Sequence, residues 1–382
     1  MIRKALLLSL VICLLMLFSS TGSVHAGAGL TVLGTSVEVE FPAKLSFKLS
    51  AESDEAITDI RFHYMVNRMA FARVTSEAFI EFEPGTGFEI EWTWDMRKTG
   101  ALPPGSSLEY WWTLEDAGGT EVATERIEIR IEDDRYDWHA LTEDKITISW
   151  YAGDDNFAQD IMAAAQQALA RLGEYTGAEL VQPVKIYVYA NSGDLQGSMI
   201  YPKEWTGGAA FTRHGIIAIG IAPDSLEWGS RAIAHELTHL VIHQMTFNPY
   251  GDLPTWLDEG LAMNSEGELS NFYLAVMLLA VEEDKLISVR SLASPFSAFA
   301  EESALAYAQS YAIVRYLNDR YGSEKMFELL NTFKRGSGYD EALLEVYGFN
   351  MDELNSQWRE YMITGRMQME STSGVKLSPA QT

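Results

Sequence analysis

The 382-residue sequence predicts an α+β chain in two parts. A β-sandwich of immunoglobulin or fibronectin type III character is expected over residues 27–135, and a strands-then-helices domain over 136–370. Three observations carry this expectation. Seven short runs with period-two alternation precede residue 135, turn clusters rich in Gly, Pro and Asp separate them, and the later half carries long stretches of helical periodicity.

The runs of the first part are Ser36–Phe41, Leu45–Leu49, Ile57–Tyr64, Phe79–Phe82, Phe88–Trp94, Leu108–Leu114 and Glu125–Ile131. Residues 83–87 (EPGTG), 103–105 (PPG) and 116–119 (DAGG) are the clearest turns between them. Leu108–Leu114 reads as a central strand whose aromatics belong to the core, and His63 is a lone histidine with a structural reading. The boundary falls in the acidic, aromatic stretch 132–143. Beyond it, Ile146–Trp150, Val184–Tyr189 and Gly215–Ile221 read as strands, and Gly207–Thr212 as a strand lining a cleft. Asp154, Asp155 and Asn156 lack the spacing and glycine of a calcium loop and are expected to cap the helix Phe157–Leu172. Ala304–Tyr321, Glu324–Lys334 and Met351–Thr364 follow as helices, and the polar tail 371–382 is expected to be disordered.

The chemistry concentrates in residues 235–239 (HELTH) and 254–262 (PTWLDEGLA). Trp228–Met245 reads as one proline-free helix, so His235 and His239 lie one turn apart on the same face. That spacing suits two imidazoles on one zinc ion, with Glu236 beside them as general base. Glu259 follows His239 after 19 residues. Thr255 and Asp258 read as a T-x-x-D capping box opening a second helix at Trp256, so that the loop 246–254 could fold Glu259 back onto the histidines. Two histidines and one glutamate leave a fourth tetrahedral position for water, as in a catalytic rather than a structural zinc site. His243 is one turn further along. Eight residues from His235 is roughly 12 Å of helix rise, too far for all three histidines to share one ion.

HELTH followed by WLDEGLA resembles the gluzincin metallopeptidases, specifically the aminopeptidase N-like and peptidase MA-like group, whose pattern is HExxH, eighteen residues, then the Glu of a WLNEG-type sequence. Here the gap is one residue longer and Asp258 replaces the Asn. Tyr307 to Leu317 is similar to the helix of that family whose first Tyr stabilises the oxyanion, with Gln309 and Ser310 where Lys and Gly are usual. The resemblance covers about residues 140–365. It implies a gluzincin-type α+β metallopeptidase domain with His235, His239 and Glu259 on Zn2+, Glu236 as base and Tyr307 as oxyanion donor. It also implies a peptide or protein substrate. The family's G-x-M-E-N strand, whose Glu binds a free α-amino group, aligns with 207–211 (GGAAF), and Ala210 stands where that Glu would be. The sequence is therefore read as an endopeptidase more than an aminopeptidase, with Glu204 a second acid that could take over the amine. The rival reading is a cell-surface binding or adhesion protein whose zinc site carries no turnover; Glu236, which a purely structural site does not need, speaks against it.

The formal charge of −26, from 28 basic and 54 acidic residues, argues against nucleic acid and anionic membrane as partners. Residues 1–26 read as a secretory signal peptide: Arg3 and Lys4, an apolar core from Ala5 to Phe18, and Val24-His25-Ala26 as the cleavage site. The expected location is secreted or extracellular, with no membrane span after cleavage. Cys13, the sole cysteine, lies in that core, so the mature chain is expected to have no disulfide.

Overall fold

The computed structural model describes residues 29–203, 206–297 and 299–373. The expected signal segment with Cys13, Glu204 and the end of the tail lie outside the described residues. The first part is β1 (Leu30–Glu40), β2 (Lys44–Val66), β3 (Ser76–Phe79), β4 (Gly85–Asp95), a single helical turn α1 (Met96–Thr99), β5 (Ser106–Asp116), β6 (Glu121–Ala123) and β7 (Ile127–Ile131). The runs Leu45–Leu49 and Ile57–Tyr64, read separately in the sequence, are the two halves of β2. The Phe47 and Phe62 rings lie 4.5 Å apart although fifteen residues of straight strand would span roughly 50 Å. The strand therefore turns a corner. Register shifts against β4 between Glu52 and Ile57, and against β5 between Ile57 and Asp59, place it.

All seven strands belong to one hydrogen-bonded antiparallel sheet, folded over a core that includes Leu45, Phe47, Phe62, Tyr110 and Trp112. The separate two-sheet pairing of an immunoglobulin or fibronectin type III sandwich is not what the strands display. β5 is central and its Tyr110 and Trp112 are buried, as the sequence suggested. His63 is structural: it hydrogen-bonds Thr113 Oγ1 at 2.8 Å and stacks on Trp111.

A knot of polar groups joins this sheet to the second part. Asp133 is fully buried, and its carboxylate accepts from Arg135 and from the Tyr189 hydroxyl at 2.9 Å. Next to it, Lys185 donates to the Gly105 carbonyl and Arg130 to the Tyr187 hydroxyl. Gly105 has a φ of +79°, and a Cβ there would fall on the Tyr187 ring. This close approach holds the loop 101–103 against the second part.

The second part runs β8 (His139–Glu143), β9 (Ile146–Trp150), α2 (Asp155–Thr176), β10 (Val184–Tyr189), α3 (Ser192–Gln196), β11 (Gly208–Phe211) and β12 (Ile216–Gly220). Asp154 caps α2, accepting from the Phe157 N–H at 3.0 Å. The five strands form a mixed sheet in the order β11-β12-β10-β9-β8, parallel at its centre and antiparallel at both edges. Helices α4 (Leu226–Thr246), α5 (Thr255–Ser265), α6 (Asn271–Glu282), α7 (Ala300–Tyr321), α8 (Ser323–Lys334), α9 (Tyr339–Tyr347) and α10 (Met351–Ser373) complete it. Among the described residues, no helix is long and apolar enough to cross a membrane.

α5 is the hub of this part. The Ser265 hydroxyl donates to the Ala234 carbonyl of α4, and the Asn264 amide donates to the Tyr311 carbonyl of α7 while accepting from Tyr175 of α2. Its start differs from the expected capping box. Pro254 is the N-cap, the Thr255 hydroxyl donates to the Ala293 carbonyl, and Asp258 is drawn away by two histidines of α4. Ion pairing with α4 outcompetes local capping. Gly260 admits α7: a Cβ there would lie 2.5 Å from the Ser310 carbonyl oxygen. Gly260→Ala gains ~1 kcal/mol of helix propensity but forces two backbones apart. The net expectation is a loss of about 1–3 kcal/mol in denaturant unfolding. Unchanged or greater stability would show that this helix spacing is not fixed.

Candidate metal centre and cleft

Four residues of α4 recur at intervals of four: Arg231, His235, His239 and His243. They share one face of the helix, and α5 sets three acids against that face. His235 Nδ1 lies 2.8 Å from Glu266 Oε1, whose other oxygen is 3.3 Å from Arg231. His239 Nδ1 lies 3.0 Å from Asp258 Oδ1, whose other oxygen is 3.0 Å from His243 Nε2. Between the two arms stands Glu259, with Oε2 at 3.4 Å from His235 Nε2 and 3.6 Å from His239 Nε2. Each zinc histidine of the sequence motif is thus gripped at Nδ1 and leaves Nε2 facing Glu259.

The donor set fits zinc. Ligand atoms about 2.0–2.2 Å from one ion in tetrahedral array lie roughly 3.3–3.6 Å from each other. The two His–Glu259 distances fall on that edge length, and the ligand atoms of His235, His239 and Glu259 all lie within 4.8 Å of one another. Glu259 Oε2 is buried and has no hydrogen-bond partner among the described residues, an orphaned anion that a cation would satisfy. His243, as its distance along the helix indicated, is not in this group; it groups with His239 and Asp258 instead.

The electrostatics follow from crowding. Burial by itself disfavours a charged His235, but the Glu259 and Glu266 carboxylates outweigh it and raise its pKa to about 9. For His239 burial also pulls downward, and Asp258 and Glu259 lift it well above the usual histidine value. Glu259 is held down to about 2: burial pushes it up, and the two histidines prevail. Asp258 is likewise lowered against its burial, by His239 and His243. Glu236 goes the other way. Burial raises its pKa, and the neighbouring His235 and His239, with a smaller share from the Ala210 backbone N–H, only partly offset this.

These groups open on a cleft of about 1140 Å³. His235, Glu236 and Tyr307 line it, together with apolar side chains that include Leu102, Met199, Phe211 and Trp228. The strand expected from Gly207 to Thr212 is β11, the free edge of the sheet, and it flanks the cleft. A Cβ on Gly208 would lie 2.9 Å from Glu236 Oε1, so the strand backbone approaches the acid closely. Ala210 packs against the core shared with α4 and brings no carboxylate. Tyr307 faces the cleft and Tyr311 does not; burial first, then Glu259, Tyr273 and Glu236, raise the Tyr307 pKa, so it stays protonated. Gln309 is fully buried and bridges both backbone groups of Ile287, and Ser310 packs against Gly260. Both positions that differ from the family pattern therefore serve packing.

Sequence reasoning missed Glu266, Arg231, Tyr273 and the loop 101–103 as parts of this site. The intervals were visible: Arg231 is four before His235, and Glu266 is seven after Glu259, two turns along the same face. Tyr273 and the loop carry no such signal.

Residues 164–364 match a family described as the Peptidase MA superfamily. No curated protein matches the chain. Among solved structures, an M1 zinc metallopeptidase from Deinococcus radiodurans is 12% identical, with 90% of this chain and 96% of that chain covered at a TM-score of 0.35. An aminopeptidase A from Legionella pneumophila, in complex with aspartic acid, is 12% identical over 87% of this chain and 50% of that chain, at a TM-score of 0.38.

The Glu259 and Glu266 carboxylates hold the His235 pKa at about 9, above its ordinary value of 6.5. A proton and a zinc ion compete for the same Nε2. Zinc uptake at neutral pH is therefore expected to release protons, with apparent affinity climbing as pH rises toward about 9. Calorimetric titration in buffers of different ionisation enthalpy measures this. Uptake without proton release at neutral pH would show that the histidines are already neutral.

Proposed function

The chain belongs to the Peptidase MA superfamily, and on that footing we propose that it is an exported zinc-dependent metallopeptidase that cuts peptide bonds within a chain. One observation carries the reading: two histidine Nε2 atoms stand 3.4 and 3.6 Å from an orphaned, buried Glu259 oxygen, with Glu236 beside them at the floor of an apolar cleft. His235, His239 and Glu259 would hold the ion. Zinc in such a site acts as a Lewis acid, polarising a carbonyl and acidifying water.

The protein's own groups do the rest. Glu236, its pKa raised by burial, takes a proton from the attacking water and delivers it to the leaving amine nitrogen. Tyr307 keeps its proton and donates a hydrogen bond to the oxygen on which negative charge develops. As the terminal strand of its sheet, β11 offers backbone groups to an extended substrate in strand-addition fashion. Leu102 and Phe211 provide apolar walls for its side chains.

Internal cleavage follows from Ala210. A desolvated ammonium without a countercharge is costly, and Ala210 withholds from a free N-terminus the carboxylate that the family's strand supplies. Peptides with acetylated N-termini are expected to be cut at internal bonds at rates similar to unblocked ones. Strict dependence on a free amine, with residues released one at a time, would overturn the endopeptidase assignment. Export rests on residues 1–26, and recovery of mature protein beginning near Gly27 outside the cell would support it.

Two variants test the roles. Glu236→Gln is expected to retain zinc and lose activity; normal turnover would remove Glu236 as base, and zinc retention without turnover in the unaltered chain would favour the binding-protein reading. Tyr307→Phe is expected to lower kcat about a hundredfold with little change in KM, because the donor acts in the transition state. Tyr311→Phe, pointing away from the cleft, serves as the comparison; a larger loss there would assign the donor to the wrong tyrosine.

A further inference from the structure

His243 is left over by the mechanism just described. It cannot join His235, His239 and Glu259 on one ion, yet it is placed with as much definition as the ligands. Its Nε2 sits 3.0 Å from Asp258 Oδ2, while Asp258 Oδ1 sits 3.0 Å from His239 Nδ1. Both oxygens of one carboxylate are therefore held by two imidazoles of the same helix, one turn apart. We propose that His243 is a positioning residue for the zinc ligand His239, acting through Asp258; this rests on the metallopeptidase reading above.

The physical argument has three steps. A carboxylate turns easily about its Cβ–Cγ bond, where the torsional wells are broad. Anchoring Oδ2 on His243 fixes the carboxylate plane, so Oδ1 meets His239 Nδ1 in a set direction. His243 and His239 ride on one rigid helix, so the anchor cannot drift relative to the ligand. Second, an ionised carboxylate only accepts hydrogen bonds, whereas an amide at this position could also donate. Asp258 therefore demands the proton on His239 Nδ1 and leaves the Nε2 lone pair for an ion held between it and Glu259, whose Oε2 is 3.6 Å away. Third, a carboxylate packed between helices needs a partner on each oxygen, and His243 is the partner of Oδ2 as His239 is of Oδ1. The Asp in 256–259 (WLDE) and the histidine four residues beyond HELTH are thus two halves of one device.

The geometry also makes the test practicable. The far side of His243 borders a separate cavity of about 160 Å³ lined by Arg213 and Asn248, among others, so a substituted side chain has room. The experiment measures zinc affinity of the full chain by competition with a chelator, and the absorption spectrum of the cobalt-substituted protein. Groups that orient a metal-bound histidine typically contribute about 10–100-fold to affinity. His243→Leu, which removes the donor, is expected to weaken zinc binding about tenfold or more and to shift the cobalt bands. His243→Gln keeps a donor near the Nε2 position and is expected to stay within about threefold of the unaltered chain, a difference a purely structural role would not produce. In an Asp258→Asn background, His243→Leu is expected to cost nothing further.

Equal affinity and spectrum in His243→Leu would overturn the proposal, as would losses at His243 and Asp258 that multiply. Should His243→Leu fail to fold, His243→Asn, whose amide is too short to reach Asp258, is compared with His243→Gln, and equal affinities then overturn it. A chain that binds no zinc before any substitution sinks the metallopeptidase reading as well. One that binds zinc regardless of His243 sinks the positioning role alone.

Discussion

The interleaving of α4 and α5 is the constraint on which the rest depends. Arg231, His235, His239 and His243 form a stripe on one helix, and Asp258, Glu259 and Glu266 fill the spaces between them from the other. Three carboxylates whose side chains are each mostly buried cannot stand without countercharge. Arg231 supplies one. The remainder must come either from protons on the histidines or from a divalent cation seated among their Nε2 atoms, and the two are exclusive. The polar cluster therefore fits a cation by charge balance as well as by distance.

That cluster works only because its surroundings hold two helices in register. Ser265 ties α5 to α4, and Asn264 ties it to α7 and, through Tyr175, to α2. Gly260 removes the side chain that would keep α7 away, and α7 in turn carries Tyr307 into the cleft. One glycine thus links the position of Glu259, its immediate neighbour in the sequence, to that of a hydroxyl nearly fifty residues later.

The cleft is a joint product of the two parts of the chain. Leu102 reaches it from the folded-over sheet, and Met199 and Phe211 from the second part. The knot around Asp133, with Tyr187 and Tyr189 on β10, fixes how these walls face one another. A fully buried carboxylate with every oxygen paired resists being pulled open, since separating the parts would strand it. At the other end, Phe71 stacks on Phe247 at 4.1 Å, just beyond the C-terminal end of α4. The sheet is thereby docked next to both the cleft and α4.

Local pattern determined much of this. The four-residue interval of the histidines, the helix around them, the placement of Glu259 after a loop and the buried strands of the second sheet all depend on short-range periodicity, which a sequence displays directly. The Asp154 cap did too, because its partner is three residues away. What failed was every inference in which a distant group competes with a local one. The T-x-x-D box dissolved because Asp258 finds two imidazole nitrogens on another helix, one at 3.0 Å from each carboxylate oxygen, where a local cap would pair only one. The two runs of β2 merged because β4 pairs with the first run and reaches Ile57 of the second, while β5 takes up the pairing from there. Leu102 and Tyr273 entered the cleft through the docking of loops and helices, which leaves no trace in spacing. The sequence by itself determined which atoms could hold a metal; only the tertiary structure decided which carboxylates orient them, because pairing across helices depends on where the backbones stand, not on how the residues are ordered.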